Sequence, residues 1–269
     1  MECASFAVSP RFPAVAFQSY EEFQTYCVQK QTDLQGRAAY QETLAITGPT
    51  LTRKGTCAPC LRPVEFRSTM KPAQVLKDGR WIPDWNRQMR CSCDDALTGH
   101  ERALIHFLTA SGLAPWTQSL LLGPCSVARQ IARLADSANH IVNLQSGDTP
   151  TIDAPDVSVH LVVSQNYLHV VSSLQSTLGE IFRVLVAGGR FVFTIPFRFE
   201  AGTSKIMAPA AMLSADGRSA GLSSLEHQLG WDLLAMLRSV GFRQAKAYLY
   251  WSEELGYLGD TNFIFKAVK

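Results

Sequence analysis

The sequence predicts a doubly wound α/β domain that follows a small cysteine-rich lobe. From residue 118 onward, short apolar segments that favour buried strands alternate with segments of helical periodicity. Two final segments, Ala245–Trp251 and Asn262–Val268, suggest an antiparallel strand pair at the edge of the sheet. Four of the seven cysteines form two close pairs between residues 57 and 93, a pattern typical of a metal-binding lobe in a cytosolic protein.

The composition indicates a folded protein with a substantial core. Of its 269 residues, 46% are hydrophobic and 18% are charged, which excludes intrinsic disorder as the general state of the chain. The 25 basic and 23 acidic residues nearly balance, and no basic run is long enough to follow a phosphate backbone, so no nucleic-acid partner is expected. No apolar run approaches the roughly 18 residues of a membrane span, and the N-terminus lacks a secretory pattern. We therefore expect a cytoplasmic protein that does not bind membranes.

Three regions differ in character along the chain. They are a helical extension at residues 1–50, the cysteine-rich lobe with a bridging helix at 51–110, and the α/β domain at 111–269. In the extension, Gly36 is expected to split a helical stretch that runs from Tyr20 to Leu44. In the bridging helix, Thr98 and Glu101 have the spacing of a capping box.

The paired cysteines predict a structural zinc site. Two knuckles, separated by 30 residues, supply the candidate ligands Cys57, Cys60, Cys91 and Cys93. Each knuckle directs two thiolates to one point, and four thiolates complete a closed tetrahedral shell, so the ion would hold structure and not catalyse. A short, loop-rich lobe needs such an ion to fold. The second knuckle is CxC where CxxC is commoner, so His100 or Asp94 could replace one ligand, and small buried cysteines or a redox pair remain alternatives.

The segment from 118 to 131 predicts the ligand-facing loop of the α/β domain. Leu120–Leu122 is expected to be a buried strand, Gly123-Pro124 a turn, and Ser126 the N-cap of the following helix. A strand, a glycine turn and a helix N-terminus together present backbone N–H groups and a positive dipole end to a ligand. Only one glycine is present, where a nucleoside site usually has two or three. The local sequence therefore leaves open whether this loop binds a ligand.

The remaining elements follow the same alternation. Strands are expected at His140–Leu144, His160–Ser164 and Arg190–Pro196, and a helix at Trp231–Val240. Apolar residues from Leu174 to Leu185 have helical spacing, and Gly188-Gly189 is expected to stop that helix. Residues 198–225 form a long loop rich in Gly, Ala and Ser, a length typical of functional or mobile segments.

Three motifs in order along the chain resemble class I S-adenosylmethionine-dependent methyltransferases. Ile181–Phe197 resembles their helix–Gly-Gly–strand signature, and Ser164–Val170 resembles the segment after their fourth strand. Gly230–Phe242, followed by Gly256-Tyr-Leu-Gly259, is similar to a subgroup with an N-terminal cysteine-rich lobe. The resemblance implies a Rossmann-like methyltransferase sheet with an antiparallel last strand, a zinc-ribbon-like lobe, and S-adenosylmethionine as cofactor.

The resemblance also implies which residues form the site. The cofactor-binding candidates are Gly123, Pro124, Ser126, Gln145, Ser164 and Gln165. Gln145 stands nearest the place where the family has an acidic residue that binds the ribose hydroxyls; glutamine can donate and accept but lacks the strength of a carboxylate. Asn166 and His169 stand where the family commonly has Asp and Glu. His169 is the candidate catalytic base, for an acceptor that carries a proton.

Two functions agree with this pattern. The first is methyl transfer to a small molecule, such as a natural product or sugar intermediate, in a biosynthetic route. Methyl transfer needs mainly proximity and orientation, so altered polar residues do not exclude it. The second is a catalytically inactive, methyltransferase-like binding or assembly protein with a structural zinc, which the altered cofactor contacts favour. Either function is compatible with a homodimer or with a biosynthetic partner protein.

Overall fold

The computed structural model describes residues 11–69, 72–110, 118–134, 140–142, 151–207, 226–259 and 261–269. The predicted ribose contact Gln145 lies outside the described residues, as does most of the long loop predicted at 198–225. The chain divides into two compact units. The first comprises residues 1–15, 21–114 and 248–262, and the second comprises 16–20, 115–247 and 263–269. The predicted division into residues 1–50, 51–110 and 111–269 stays a prediction.

Helices and strands alternate along the second half of the chain. The helices are α1 (Tyr20–Gln29), α2 (Gln31–Thr43), α3 (Trp85–Gln88), α4 (Gly99–Ala110), α5 (Ala128–Leu134), α6 (Leu174–Val184) and α7 (Asp232–Val240), with a short 3-10 helix at Leu168–Val170. The strands are β1 (Ala14–Phe17), β2 (Thr50–Cys57), β3 (Arg62–Thr69), β4 (Pro72–Val75), β5 (Trp81–Pro83), β6 (Arg90–Cys91), β7 (Ser119–Leu122), β8 (His140–Val142), β9 (Val159–Gln165), β10 (Leu185–Thr194), β11 (Lys205–Met207), β12 (Glu226–Gln228), β13 (Gln244–Tyr250) and β14 (Phe263–Val268).

The first unit is built on small antiparallel sheets. Strands β2, β3 and β6 form one sheet, and β4 pairs with β5 in another. Helix α4 begins with the predicted capping box: the Glu101 carboxylate accepts from the backbone N–H of Thr98 at 2.7 Å, and the Glu101 N–H donates to the Thr98 hydroxyl at 3.4 Å. This exchange satisfies two of the N–H groups that a helix start leaves without partners.

The second unit contains a seven-stranded sheet in the order β1-β13-β14-β10-β9-β7-β8. Strands β8, β7, β9 and β10 are parallel, whereas β14 pairs antiparallel with β10. This arrangement confirms the predicted α/β fold with an antiparallel last strand. The prediction that the two closing strands form the sheet edge was wrong, because β1 lies outside β13. A four-residue strand from a separate part of the chain carried too little pattern to be recognised.

The sheet reverses its order of strand addition at β7. From β7 the chain proceeds to β8 on one side and then to β9 on the other, which creates a topological switch point between β7 and β9. In such sheets the loops after the carboxyl ends of the two strands diverge and leave a crevice. Gly123 follows β7, and Asn166 follows β9. The fold therefore places both predicted ligand-facing segments beside one crevice.

The central strands and two helices form the apolar core of this unit. The side chains of Leu121, Val162 and Phe193 are fully buried, as expected for parallel strands covered on both faces. Helix α7 ends at Gly241, which adopts a φ of 122° that favours glycine. This ending confirms the predicted helix stop.

Three local predictions were wrong. Helices α1 and α2 are separated at Lys30, and Gly36 lies inside α2, because a single glycine is tolerated in a helix at a cost of about 1 kcal/mol. Helix α6 ends at Val184, and Gly188-Gly189 lie within β10, where the pairing with β9 is irregular between Leu185 and Arg190. Helix α5 begins at Ala128, so Ser126 is not its N-cap.

The segment before β9 is fixed to α6 by a polar network. Arg183 pairs with Glu180 at 2.9 Å and with Asp156 at 2.6 Å, and it donates to the carbonyls of Ile152 and Ala154. Glu180 also accepts from the backbone N–H of Ile152 at 3.0 Å. The Arg183 bond is the main reason that the pKa of Glu180 is lowered. Because Val159 starts the central strand β9, this network helps to set where that strand begins.

None of the helices in the described residues combines the length and apolar character that crossing a membrane requires.

Candidate metal centre and cofactor crevice

The first unit brings the predicted cysteine ligands together. The thiol sulfurs of Cys57, Cys91 and Cys93 all lie within 4.8 Å of one another, and all three residues are buried. Cys60 is hydrogen-bonded to Cys57 and Cys93. In a tetrahedral zinc–thiolate site, sulfurs at about 2.3 Å from the ion are about 3.8 Å apart. The sulfurs of Cys57, Cys91 and Cys93 thus converge at close to this spacing, whereas Cys60 lies outside that group of three and is linked to it by hydrogen bonds.

Local structure explains this convergence. Cys57 ends β2 and Cys60 lies in the turn before β3, where the N–H of Cys60 donates to the carbonyl of Cys57 at 3.2 Å. Cys91 pairs with Phe66 of β3, which carries the second knuckle to the first. His100 and Asp94, the alternative ligands, do not belong to the group of converging donors among the described residues.

The thiols influence one another's ionisation. The pKa values of Cys60 and Cys91 are lowered, above all because Cys57 shares a hydrogen bond with each of them, and the pKa of Cys57 is raised for the same reason. Burial raises the pKa of Cys93. Thiolates are the form of cysteine that binds metal. A cluster with two low-pKa thiols is therefore chemically suited to a soft divalent ion.

In the second unit, Gly123 lies directly beneath the ring of Tyr167. Gly123 is buried with a φ of 76°, a left-handed conformation that side chains other than glycine rarely adopt. A Cβ atom at this position would collide with the Tyr167 ring. The glycine is thus required by the turn and by a contact between the two loops, whether or not a ligand also approaches it.

Gln165 and Ser126 connect the same two loops. The side-chain oxygen of Gln165 accepts hydrogen bonds from both the backbone N–H and the hydroxyl of Ser126, each at 3.0 Å. The two predicted cofactor contacts therefore bind each other. Pro124, the third predicted residue of the first loop, is exposed in the turn after Gly123.

Two features at the end of β9 cost free energy. Ser164 is fully buried beside Leu122 of β7 and Phe193 of β10, and its hydroxyl oxygen has no hydrogen-bond partner among the described residues. Asn166 has a φ of 48°, and its N–H donates to the carbonyl of Thr194 at 2.8 Å. Buried orphaned hydroxyls and left-handed non-glycine residues both cost free energy and are concentrated at functional sites.

His169 lies in the short 3-10 helix that follows β9 and is half-buried. It is four residues beyond Gln165, on the segment that leaves the carboxyl end of the strand. The structure thus places the predicted base on the loop beside the crevice.

A family comparison bears on this unit. Residues 110–193 match the sequence profile of a family described as methyltransferase domain. The match covers β7 through most of β10 and includes both loops of the crevice. Both Gly123 and Asn166 therefore lie within the matched segment.

Solved structures similar to the chain include several methyltransferases. One is an S-adenosylmethionine-dependent methyltransferase of Thermotoga maritima, described as a possible histamine N-methyltransferase; it is 16% identical with a TM-score of 0.37, and 60% of this chain and 86% of that chain are covered. Another is the Burkholderia thailandensis 1,6-didemethyltoxoflavin-N1-methyltransferase, at 15% identity and a TM-score of 0.40, with 65% and 79% covered.

A third similar structure is a complex from Haloferax volcanii between the Trm112 methyltransferase activator and a putative methyltransferase. It is 12% identical with a TM-score of 0.36, and 58% of this chain and 83% of that chain are covered. Comparison with curated proteins gave no match.

The sequence did not predict the contact that closes the crevice or the arginines near the cysteines. Tyr167 contacts Gly123 across 44 positions of sequence, and no local pattern marks such a contact. Arg62 is hydrogen-bonded to Cys93, and its position two residues after Cys60 could have indicated a cation beside the cluster. Arg102 stands out in the sequence as a charged residue in an otherwise apolar stretch of α4.

Proposed function

We propose that this chain is an S-adenosylmethionine-dependent methyltransferase that acts on a small molecule, such as a natural product or sugar intermediate. The observation that carries the proposal is the meeting of two polar loops at the switch point of a methyltransferase domain. The chemistry of the donors supports a fit to the cofactor. The buried Ser164 hydroxyl lacks a partner among the described residues, and Gly123 has no side chain to obstruct a close approach.

In this proposal the cofactor supplies an electrophilic methyl group on a sulfonium. Gly123 lets the backbone approach the cofactor, and Ser164 and Gln165 hold its polar groups. Pro124 and Ser126 shape the first loop, and Gln145 is proposed to bind the ribose. His169 takes a proton from an acceptor that carries one. The rest of the site contributes to methyl transfer by orienting the acceptor atom in line with the methyl group.

Tyr167 must move for this site to bind its cofactor closely. Its ring covers Gly123 in the structure, so the ring acts as a cover that competes with the ligand. Tyr167→Ala is expected to tighten binding of S-adenosylhomocysteine, whereas Tyr167→Phe, which keeps the ring, leaves the affinity close to that of the wild type. Equal affinities in all three proteins would contradict the role of the ring.

Calorimetric titration of the full chain with S-adenosylhomocysteine tests the function. We expect micromolar binding, and the absence of both heat and thermal shift would overturn it. Ser164→Ala provides the matched variant. If the hydroxyl binds the cofactor, the variant loses about fivefold in affinity, since one hydrogen bond contributes about 1 kcal/mol, while its thermal stability stays equal or rises because a buried orphaned hydroxyl is gone.

His169→Gln is expected to slow methyl transfer from labelled cofactor by about 10²-fold without changing S-adenosylhomocysteine affinity. The assay uses a panel of small-molecule acceptors that carry hydroxyl or amino groups. A variant that transfers as fast as the wild type would remove His169 from the role of base.

A second candidate function is a catalytically inactive binding or assembly protein. It is favoured by the mutual contacts that close the crevice, namely Tyr167 over Gly123 and Gln165 on Ser126. This candidate predicts that neither the wild type nor Tyr167→Ala binds S-adenosylhomocysteine. Under either function we propose a cytoplasmic protein that forms a homodimer or binds a biosynthetic partner protein, which light scattering of the purified chain and of its complexes measures.

We also propose that Cys57, Cys60, Cys91 and Cys93 hold one structural zinc ion. The convergence of the buried thiols supports this proposal, and four-thiolate coordination leaves no open position for catalysis. Metal analysis of the purified protein is expected to give about one zinc per chain. A content well below one, in protein purified without chelator, contradicts the site.

A further inference from the structure

Arg102 of α4 is fully buried in the first unit. Its guanidinium donates to the carbonyls of Met89 and Leu97 at 3.0 and 2.8 Å and to the carbonyl of Gly256 at 3.1 Å. It also lies 4.2 Å above the ring of Phe66. A guanidinium stays protonated even when it is buried, so these neutral groups surround a full positive charge.

Within the described part of the chain, Arg102 forms no ion pair with a carboxylate. A buried charge without a counter-charge is among the most expensive features that a protein can contain, and carbonyl dipoles and one aromatic face offset only part of that cost. The environment of Arg102 therefore calls for an anion close by.

The cysteine cluster is the nearby source of negative charge. Leu97 places one carbonyl oxygen between the two: it accepts from Arg102 and also from the backbone N–H of Cys91 at 3.0 Å. Phe66, on which the guanidinium stacks, is the strand partner of Cys91.

A divalent ion with four thiolates carries two net negative charges, and a buried centre of that kind needs positive charge around it. Arg62 lies on the solvent side, hydrogen-bonded to Cys93, and is exposed. Arg102 lies on the buried side. Arg62, which also interacts with Asp94, thus lies beside the cluster at the surface, and Arg102 is linked to it in the interior through Leu97 and Phe66.

We propose that Arg102 is the buried counter-charge of the metal centre, a positioning residue that stabilises the four-thiolate form of the site through its charge. The inference rests on the proposed zinc site. It also explains why a charged residue occupies the apolar stretch Arg102–Leu108 of α4, every residue of which is buried. Each partner supplies what the other lacks: the cation offsets the thiolates, and the loaded cluster offsets the cation.

The competing explanation is that Arg102 only clamps the loop between Met89 and Leu97 through hydrogen bonds. Arg102→Lys and Arg102→Gln separate the two, since both keep a donor for a carbonyl but only lysine keeps the charge. Arg90→Met is the matched control, because exposed Arg90 also donates to this loop, at the carbonyl of Ala96. Zinc affinity of each full-length protein is measured by competition with a chromophoric chelator.

We expect Arg102→Gln to weaken zinc binding by about 10- to 100-fold, the usual effect of losing a group that supports metal ligands. Arg102→Lys should recover most of that loss, and Arg90→Met should stay within about twofold of the wild type. If the Lys and Gln variants lose the same amount of zinc affinity, the hydrogen bonds of Arg102 to the loop explain the effect, and the charge role is overturned. If the wild-type protein binds no zinc, the charge role of Arg102 is overturned as well. That outcome can be told apart from the first, because it also overturns the proposed zinc site.

Replacing zinc with cobalt adds a spectroscopic measurement. The absorption band of the cobalt site would not change if Arg102 acted only through its hydrogen bonds to the loop. The positive charge of Arg102 stabilises the thiolate electron pairs, so the thiolate-to-cobalt charge-transfer band should move to lower energy in Arg102→Gln and stay in place in Arg102→Lys. If Arg102→Gln does not fold, the Lys and Gln substitutions are compared in the Cys60→His background. This substitution removes one negative charge from the centre, so loss of the cation should be better tolerated there. The Gln variant should still bind zinc more weakly than the Lys variant, and equal affinities of the two would contradict the proposal.

Discussion

The cysteine cluster and the crevice beside Gly123 obtain partners for their polar groups in opposite ways. In the cluster, three buried thiols converge within 4.8 Å of one another, and Arg102 is buried in the same unit. In the crevice, Gln165 binds Ser126 and Tyr167 covers Gly123, so the two loops contact each other directly. Under the proposed function, the cluster is therefore a site that an ion stabilises, whereas the two loops of the crevice contact each other without a ligand.

This difference follows from what each region can bury. The three-stranded sheet that carries the cysteines is small, and a small sheet cannot offset its conformational entropy by apolar burial alone. The seven-stranded sheet has a continuous apolar core in which Leu121, Val162 and Phe193 are fully buried. It can hold its loops in a closed arrangement and can keep a costly feature such as the orphaned Ser164 hydroxyl.

The largest expected effect is the loss of the metal. Removal of zinc by a chelator, or Cys57→Ser, should abolish hydrogen-exchange protection in residues 50–69 and 81–108 while residues 119–122 and 159–194 stay protected, because metal binding supplies folding free energy only to the first unit. Cys27→Ser is the control, since Cys27 lies on α1 outside the group of converging thiols. Equal loss of protection in both units would show that they unfold together and break the comparison.

A smaller effect, of about 2 kcal/mol or more, is expected from Gly123→Ala. Alanine must adopt a left-handed φ, which costs about 1 kcal/mol, and its Cβ meets the Tyr167 ring. Gly179→Ala is the matched control: Gly179 lies in α6 with no atom near its missing Cβ, so this variant should gain about 1 kcal/mol.

Denaturant unfolding of Gly123→Ala in a Tyr167→Ala background isolates the contact between the loops. Without the ring, the alanine should cost only its backbone strain, so the two substitutions should be less than additive. Strict additivity would mean that the loops are not in contact and that the crevice is open.

The smallest effect is expected from Glu180→Gln, at or below about 1 kcal/mol, because the pair with Arg183 is partly exposed to solvent. The pKa of Glu180 is lowered in the folded protein, so its stabilisation is present above the unfolded value of about 4.3 and is lost as the pH falls below it. The difference in melting temperature from the wild type should be present at pH 7 and should shrink as the pH falls through the lowered pKa of Glu180 in the folded protein.

Glu42→Gln, at an exposed position of α2, serves as the control for this pH dependence and should leave the melting temperature unchanged. A Glu180→Gln difference that persists at low pH would point to packing, not charge, as the link between α6 and the segment before β9.

The sequence determined the features that local spacing encodes. Alternating apolar and helical periods predicted β7, β9 and α7, and the spacing of Thr98 and Glu101 predicted the start of α4. The cysteine knuckles indicated a common point for their thiols, since short turns fix where each pair is directed. These signals act over a few residues, and for that reason they can be recognised without knowledge of the fold.

Only the tertiary structure decided which of these local elements contact one another. Gln165 and Ser126 are 39 positions apart and Arg102 and Gly256 are 154 apart, and no periodicity encodes which side chains meet over such separations. Ser126 appeared in the sequence as a helix cap and Gly123 as a cofactor glycine, because both roles are local. Only the pairing of β7 with β9 brings Tyr167 and Gln165 onto that loop. The closed crevice and the buried arginine are therefore properties of the packed fold, in which long-range contacts outweigh local preference.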